Sequence, residues 1–449
     1  MTNSSNQNNT RYSRLLIAAF VATLMLPACV LIFTDGYSFL RALSAVLLPT
    51  GFYLLWSVAH KRSGMMVCWG LLWFILAALQ LVLLYMFGSS IIAVDMFTNL
   101  FTTNPNEAGE LLSNIWPMVT FVVVLYIPVI ALAVHSLRQR FTIAPSTRRT
   151  AAVVGAVMIV AGCATTQFNV FPFNVLENIY RSFDELVKVR RYPTSSADFD
   201  YEAKCDKPTD KREIYVMIIG EASRAANWQL YGYDRATNPR LSTEENLVVY
   251  KNVVTQCNAT HKSVPLILSS VSADNHSEIY ERRGIVQLYK DAGFRTLVVS
   301  CQAPNRSLIQ MMCDEADQTI YMNGLNDGAM LEPLRETIAA DTSDLFVILH
   351  CYGSHFNYRE RYPNQFSQFT PDDDVSISKK NRKRMVNAYD NSIIYTDWFI
   401  SEVISTLRQT DACSAMFYCA DHGEDLYDDR RGRFLHSSPT ITYYQAHVA

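Results

Sequence analysis

The sequence predicts a multi-pass α-helical membrane domain of five transmembrane helices, followed by an α/β domain with a central, mostly parallel sheet. Three observations carry that reading. The long apolar runs crowd into the first third of the 449 residues while the charges gather in the rest, although the whole chain is 49% hydrophobic and 18% charged. Beyond Ile214 the pattern changes to short apolar runs separated by helical or irregular stretches, as in βαβ units. Several of those short runs end in Glu, Asp or His. A net charge of -3 with no basic stripe argues against nucleic acid as a partner.

The first apolar run, Leu15 to Phe33, is 19 residues without a charge. A helical span of a bilayer needs about 20 such residues. Tyr37 to Ala59 follows with Arg41 as its one charge, then Met65 to Phe87, Asn114 to Val134 and the shorter Thr150 to Thr166, all uncharged. One such run is compatible with a buried core helix; five in series are not. The first is read as a retained span rather than a cleaved signal peptide, because Asp35 follows closely and further spans come after it.

Orientation follows from Lys and Arg in the connecting loops, which stay on the cytoplasmic side. Arg11 and Arg14 precede the first span, Lys61 and Arg62 separate the second and third, and Arg138, Arg140, Arg148 and Arg149 separate the fourth and fifth. The expected topology puts the N-terminus inside and everything past residue 166 outside. The segment Ser89 to Asn114 mixes apolar and acidic residues and is expected on the outer membrane surface. Residues 167–213 are expected to form an amphipathic helix, Asn174 to Val189, and a polar linker. Residues 214–449 form the expected catalytic domain. Seven of the ten cysteines lie in the exported part, where disulfides persist, and Cys301 with Cys313 is the preferred local pair.

Four runs are expected as buried strands: "IYVMIIGE" ending at Glu221, "FRTLVVSC" ending at Cys301, "DLFVILHCYGSH" leading through His350 to His355, and "AMFYCADH" ending at Asp421 and His422. Ligands of open α/β sheets bind beyond the carboxyl ends of the strands. Carboxylate oxygens and imidazole nitrogens suit zinc, and Glu221, Asp421 and His422 supply three such ligands. Neighbouring strand residues point to opposite faces, so Asp421 and His422 share a metal only if the chain leaves the strand there, which Gly423 assists. In "NATHKSVP", Thr260 stands just ahead of an expected helix start, where negative charge is favoured. A plain N-cap by Thr260 or Ser263 is the competing reading.

The strings "GEASRAANWQLYGYDRATNPRL", "TQCNATHKSVP", "LHCYGSHFNYRERYP", "NAYDNSIIYTDWF", "ADHGEDL" and "FLHSSP" occur in an order that resembles the phosphoethanolamine transferases, membrane-bound members of the alkaline phosphatase and sulfatase superfamily. The resemblance covers nearly the whole chain. It implies an inner-membrane enzyme of Gram-negative bacteria with a periplasmic, sulfatase-like catalytic domain. It implies one zinc ion held by Glu221, Thr260, Asp421 and His422, with a second zinc as a further possibility. It also implies that Thr260 is the nucleophile, taking phosphoethanolamine from phosphatidylethanolamine and passing it to lipid A or another envelope glycan. His355 and His436 match positions that hold the phosphoryl group or a second zinc, and His350 is expected to assist.

Arg224 and Lys262 are expected either to stabilise phosphate charge or to form surface ion pairs. Tyr231, Tyr233 and Asn238 are expected to shape a loop, and Glu424 to orient His422 or a ligand. Three departures from the family pattern stand out: Phe356 and Asn357 replace Gly-Pro after His355, Leu266 replaces a cysteine, and the chain stops at Ala449 where the family continues into a strand and a helix. The last implies a truncated catalytic domain. Rival readings are a glycerol-phosphate transferase or phosphodiesterase using the same threonine, and an inactive membrane-anchored interaction protein.

Overall fold

The computed structural model describes residues 2–87, 105–207, 210–373, 377–430, 432–438 and 440–449. The chain divides into two compact units, Met1–Phe97 with Ile115–Ser182 and Thr98–Asn114 with Phe183–Ala449.

The first unit is helical: α1 (Thr2–Thr34), α2 (Phe39–Val58), α3 (Met65–Trp69), α4 (Leu71–Phe87), α5 (Pro105–Arg138), α6 (Pro145–Cys163) and the start of α7 (Phe173–Ser195). Among the described residues three helices are long and apolar enough to cross a membrane, over Asn9–Thr34, Phe39–Val58 and Ile115–Arg138. The other two expected spans fall short of that length or composition among the described residues, and the reasons are local. The third run breaks at Gly70 into a five-residue and a 17-residue helix. The fifth helix carries Arg148 and Arg149 in its first turns, so its apolar stretch falls short of the roughly 20 residues a span needs. The expected surface segment Ser89 to Asn114 lies partly outside the described residues, and its last part forms the first turns of α5.

Aromatic rings lock the core of this unit. Phe20 meets Tyr53 and Phe74 edge-on at 6.2 and 5.6 Å, and Phe74 meets Tyr126 at 5.2 Å. α2 and α6 cross where two glycines leave room for the backbones to approach. A Cβ on Gly155 would stand 2.9 Å from the Gly51 carbonyl oxygen, and one on Gly51 2.7 Å from that of Gly155. Gly155→Val is therefore expected to force the helices apart and destabilise the unit by roughly 1–3 kcal/mol, read as a lowered melting temperature of the detergent-solubilised protein.

The second unit holds a five-stranded sheet in the order β3-β2-β4-β1-β5, from β1 (Glu213–Gly220), β2 (Arg295–Ser300), β3 (Gln318–Tyr321), β4 (Leu345–His350) and β5 (Cys413–Ala420). Every pairing is parallel. β1 and β4 are buried almost throughout because they lie inside the sheet, whereas β5 at the edge is largely exposed until Ala420. The short strand β3 was not foreseen. Its four residues are half-buried or exposed and show no apolar run. α8 (Thr260–Ile267), α9 (Ile285–Asp291) and α10 (Leu308–Cys313) pack on one face, with Val264, Val286 and Met312 against Met217, Val298 and Ile348. Each such buried aliphatic side chain contributes about 1.5–3 kcal/mol.

Register does the positioning. Ile219 of β1 lies opposite His350 of β4, and Gly220 opposite Ala420 of β5. The next residues, Glu221 and Asp421, therefore emerge side by side at one rim with His350.

The expected Cys301–Cys313 pair does not form; both are buried thiols. Cys313 packs into the apolar core on the face that carries α8 to α10. Cys301 follows β2 and its thiol faces the Asp327 carboxylate.

Candidate active site

Glu221 is the first residue past β1 and is fully buried. The turn that receives it is tight. Gly353, at φ +50°, packs so closely that a Cβ there would stand 2.8 Å from the Glu221 carbonyl oxygen and 2.9 Å from its nitrogen. The Ser354 amide donates to the same carbonyl at 3.0 Å. Gly353→Ala is expected to strain the turn by roughly 1–3 kcal/mol and push Glu221 out of place, lowering the melting temperature.

Asp421 leaves β5 with its amide donating to the Gly220 carbonyl at 3.0 Å. One carboxylate oxygen, Oδ1, accepts from the amides of Ala222 at 3.0 Å and His422 at 2.7 Å. The other, Oδ2, is buried with no hydrogen-bond partner among the described residues. His422 Nδ1 lies 3.0 Å from the Gly423 carbonyl oxygen. That contact assigns the proton to Nδ1 and leaves the Nε2 lone pair for the site. Nε2 is 3.3 Å from Asp421 Oδ2 and 3.4 Å from Glu221 Oε1.

Gly423 is required by close approach rather than by an unusual backbone angle. A Cβ would collide with the Tyr444 carbonyl oxygen and with Arg224. Its amide also donates to the Gln445 carbonyl at 2.9 Å.

Thr260 is the first residue of α8 rather than the residue ahead of it, and no side chain caps that helix. The N-cap reading therefore fails for both residues. Ser263 donates instead to the Asp421 carbonyl oxygen at 2.5 Å. Thr260 Oγ1 lies 3.2 Å from each Glu221 carboxylate oxygen and 3.1 Å from His422 Nε2. The four residues predicted from separate parts of the chain thus converge.

The ligand atoms of Glu221, Asp421 and His422 lie within 4.8 Å of one another. Burial, then the Asp421 carboxylate beside it, pushes the Glu221 carboxyl well above its ordinary range. Burial also raises Asp421 and, reinforced by His436, holds His422 well below the usual histidine value. Two buried carboxylates, one with an orphaned oxygen, and a neutral imidazole offering a lone pair make a donor set that fits a zinc-like dication.

The three remaining expected histidines, and His261 beside them, line the same cavity of about 160 Å³ as Thr260. His350 is buried, its Nδ1 3.2 Å from Ser300 Oγ and its Nε2 without a hydrogen-bond partner among the described residues. Burial lowers its pKa to about 4. His436 sits 4.1 Å from His422 and 6.5 Å from His355, ring centre to ring centre. Burial, with Arg361 and His436 nearby, lowers His355 to about 3. Glu424 faces His436, at 3.4 Å from Nδ1, and makes no ion pair with His422 among the described residues.

Arg224 is neither a phosphate clamp nor a surface partner. It is buried and donates to both Asp428 oxygens at 2.6 and 3.1 Å and to the Glu424 carbonyl at 3.0 Å. It braces the segment that carries Glu424. Asp428→Ala is expected to strand the guanidinium and cost about 3–5 kcal/mol, visible as a lowered melting temperature. Tyr233 and Asn238 shape their loop as expected, through Asp390 at 2.9 Å and the Leu230 amide at 3.4 Å.

Sequence reasoning missed the polar wall of the cavity, which includes Gln302, Asn305, Gln310 and Tyr321. The first three follow the carboxyl end of β2, the place where ligands of such sheets bind, so that rule alone pointed to them.

A parallel sheet whose rim gathers two carboxylates, an imidazole and a threonine hydroxyl is the arrangement of a metal-dependent hydrolase or transferase. The family model described as Sulfatase matches residues 213–449, more than half of the chain, and the chain belongs to that family. Residues 71–178 match the model described as Phosphoethanolamine transferase EptA/EptB. Phosphoethanolamine transferase EptA of Escherichia coli (strain K12) is 32% identical over 245 residues, covering 51% of this chain and 44% of that protein. The chain thus spans less than half the length of that curated relative. Among solved structures, the integral membrane protein lipooligosaccharide phosphoethanolamine transferase A (EptA) from Neisseria meningitidis shares the fold. It has a TM-score of 0.72 at 20% identity over 98% of this chain and 86% of its own. The C-terminal periplasmic domain of EcEptC from Escherichia coli, in complex with Zn, aligns with a TM-score of 0.50 at 24% identity over 54% of this chain and 73% of that one.

Proposed function

We propose that this protein transfers phosphoethanolamine from phosphatidylethanolamine to lipid A or another envelope glycan through a covalent phosphoethanolamine-threonine intermediate on Thr260. The observation that carries the reading is Thr260 Oγ1 within 3.2 Å of the Glu221 carboxylate and 3.1 Å of His422 Nε2, at the start of a helix. The names of the relatives support the transferred group, and the zinc complex of EcEptC supports the metal.

Glu221, Thr260, Asp421 and His422 would hold one zinc ion, which when bound supplies a Lewis acid that makes the threonine hydroxyl nucleophilic near neutral pH. Thr260 Oγ attacks phosphorus, the bond to the glycerol oxygen breaks, and diacylglycerol leaves with the proton. A hydroxyl or phosphate oxygen of the acceptor then attacks the same phosphorus and frees the threonine, so ping-pong kinetics follow. His350, His355 and His436 border the cavity, and an imidazole N–H there can donate a hydrogen bond to a phosphoryl oxygen, with burial holding His350 and His355 below the usual histidine range. The five apolar runs are read as five spans, with the N-terminus cytoplasmic and the catalytic domain periplasmic in the bacterial inner membrane.

Intact-mass measurement after incubation with phosphatidylethanolamine tests donor and nucleophile together. The expected result is a gain of one phosphoethanolamine that peptide mapping assigns to Thr260. A glycerol-phosphate adduct formed only when phosphatidylglycerol is supplied in its place, or free head group with no adduct, would replace this reading with one of its rivals.

A further inference from the structure

The helix α7 carries two apolar faces, and the site described above uses neither. One is packed: Val175, Ser182 and Tyr192 are buried. The other is a stripe of Leu176, Tyr180, Phe183 and Val187, which are 42, 73, 53 and 43% exposed. Steps of four, three and four residues bring these side chains within an arc of about 60° on the helix surface. Large side chains at this exposure and spacing mark a surface built to be covered.

We propose that this stripe lies in the headgroup and upper acyl region of a phospholipid bilayer, making α7 an interfacial helix. The proposal rests on the reading of the first unit as membrane-embedded. Leu176 and Tyr180 belong to the same compact unit as three described helices long and apolar enough to cross a membrane, and Phe183 and Val187 continue the same helix past the end of that unit. Residues 164–172, between α6 and α7, reach at most about 30 Å, so the stripe stays close to whatever solvates those helices.

The charges beside the stripe favour lipid over a protein partner. Arg181 pairs with Glu177 at 2.6 Å and Lys188 with Asp184 at 2.7 Å, each four residues apart. These ions neutralise one another within the helix and present little net charge for a complementary protein surface. Arg190 and Arg191 remain exposed at the far end, where they can meet lipid phosphates. A tyrosine in the stripe suits the same depth, with its ring among acyl chains and its hydroxyl in the headgroup layer.

The test uses the full chain in nanodiscs of phosphatidylethanolamine and phosphatidylglycerol. Photoreactive benzoylphenylalanine is placed in separate preparations at position 183 in the stripe, at 181 on the charged flank, and at 124 in the Ile115–Arg138 helix, where Val124 is 65% exposed. Phospholipid adducts are then counted by mass spectrometry. Positions 183 and 124 are expected to capture phospholipid, with about one fifth of that capture or less at 181, as for a helix lying at the interface. Capture at 124 without capture at 183 overturns the proposal and leaves the membrane reading standing. So does capture of a polypeptide at 183, or equal capture at 181 and 183. No capture at either 124 or 183 removes the membrane reading along with it.

Discussion

Thr260→Ala protein incubated with phosphatidylethanolamine is expected to stay at its starting mass, and its transfer rate is expected to fall by about 10³-fold or more. The size follows from the chemistry, because removing a nucleophile deletes the covalent route rather than weakening it. Folding should be little changed. Thr260 Oγ1 contacts only Glu221 and His422 among the described residues, and α8 draws no cap from it. Thr260→Ser separates the hydroxyl from the methyl group and should keep the adduct with a lower rate. An adduct on the alanine variant would sink the assignment. Loss of the adduct together with a large fall in melting temperature would mean that Thr260 supports the fold instead.

Replacing Asp421 with Asn should uncouple stability from metal binding. In the wild-type protein Oδ1 is satisfied by two amides, while Oδ2 is orphaned beside Glu221. The Asn side chain keeps the accepting oxygen and turns an amide group towards the Glu221 carboxylate. With metal stripped by a chelator, the variant is expected to melt at or above the temperature of the wild type, because a buried like-charge pair has been removed. With zinc restored the order should reverse. A ligand at about a thousand times its Kd stabilises by about 4 kcal/mol, and the variant should forgo most of that along with its activity. A zinc-dependent rise in melting temperature equal in both proteins would show that Asp421 is no ligand.

How far the site could be read beforehand differs from residue to residue. Glu221, His350 and Asp421 were legible as the ends of apolar runs, since strands buried inside a parallel sheet carry their apolar side chains without a break. Thr260 was legible from the small polar residues before α8. Arg224 was not, because a guanidinium in a polar loop looks the same on paper whether it meets solvent, phosphate or a buried Asp428. The break at Gly70 and the shortfall of α6 escaped for a similar reason: apolar composition measures how long a run is, and where the helix begins and ends within it is set by local backbone geometry. The Cys301–Cys313 expectation failed because closeness in sequence does not say which face of the sheet a thiol meets.

The order of runs, the residues at their ends and the class of chemistry those residues support follow from composition and pattern, since apolar periodicity and donor type are properties of short segments. The meeting of residues 221, 260, 421 and 422 within hydrogen-bonding reach is decided by strand register. Close packing adds the rest: the collision that makes residue 423 a glycine, the clamp of residue 353 on the Glu221 backbone, and the pairing of Glu424 with His436. Each of these depends on atoms brought together across long stretches of chain, and only folding creates such distances.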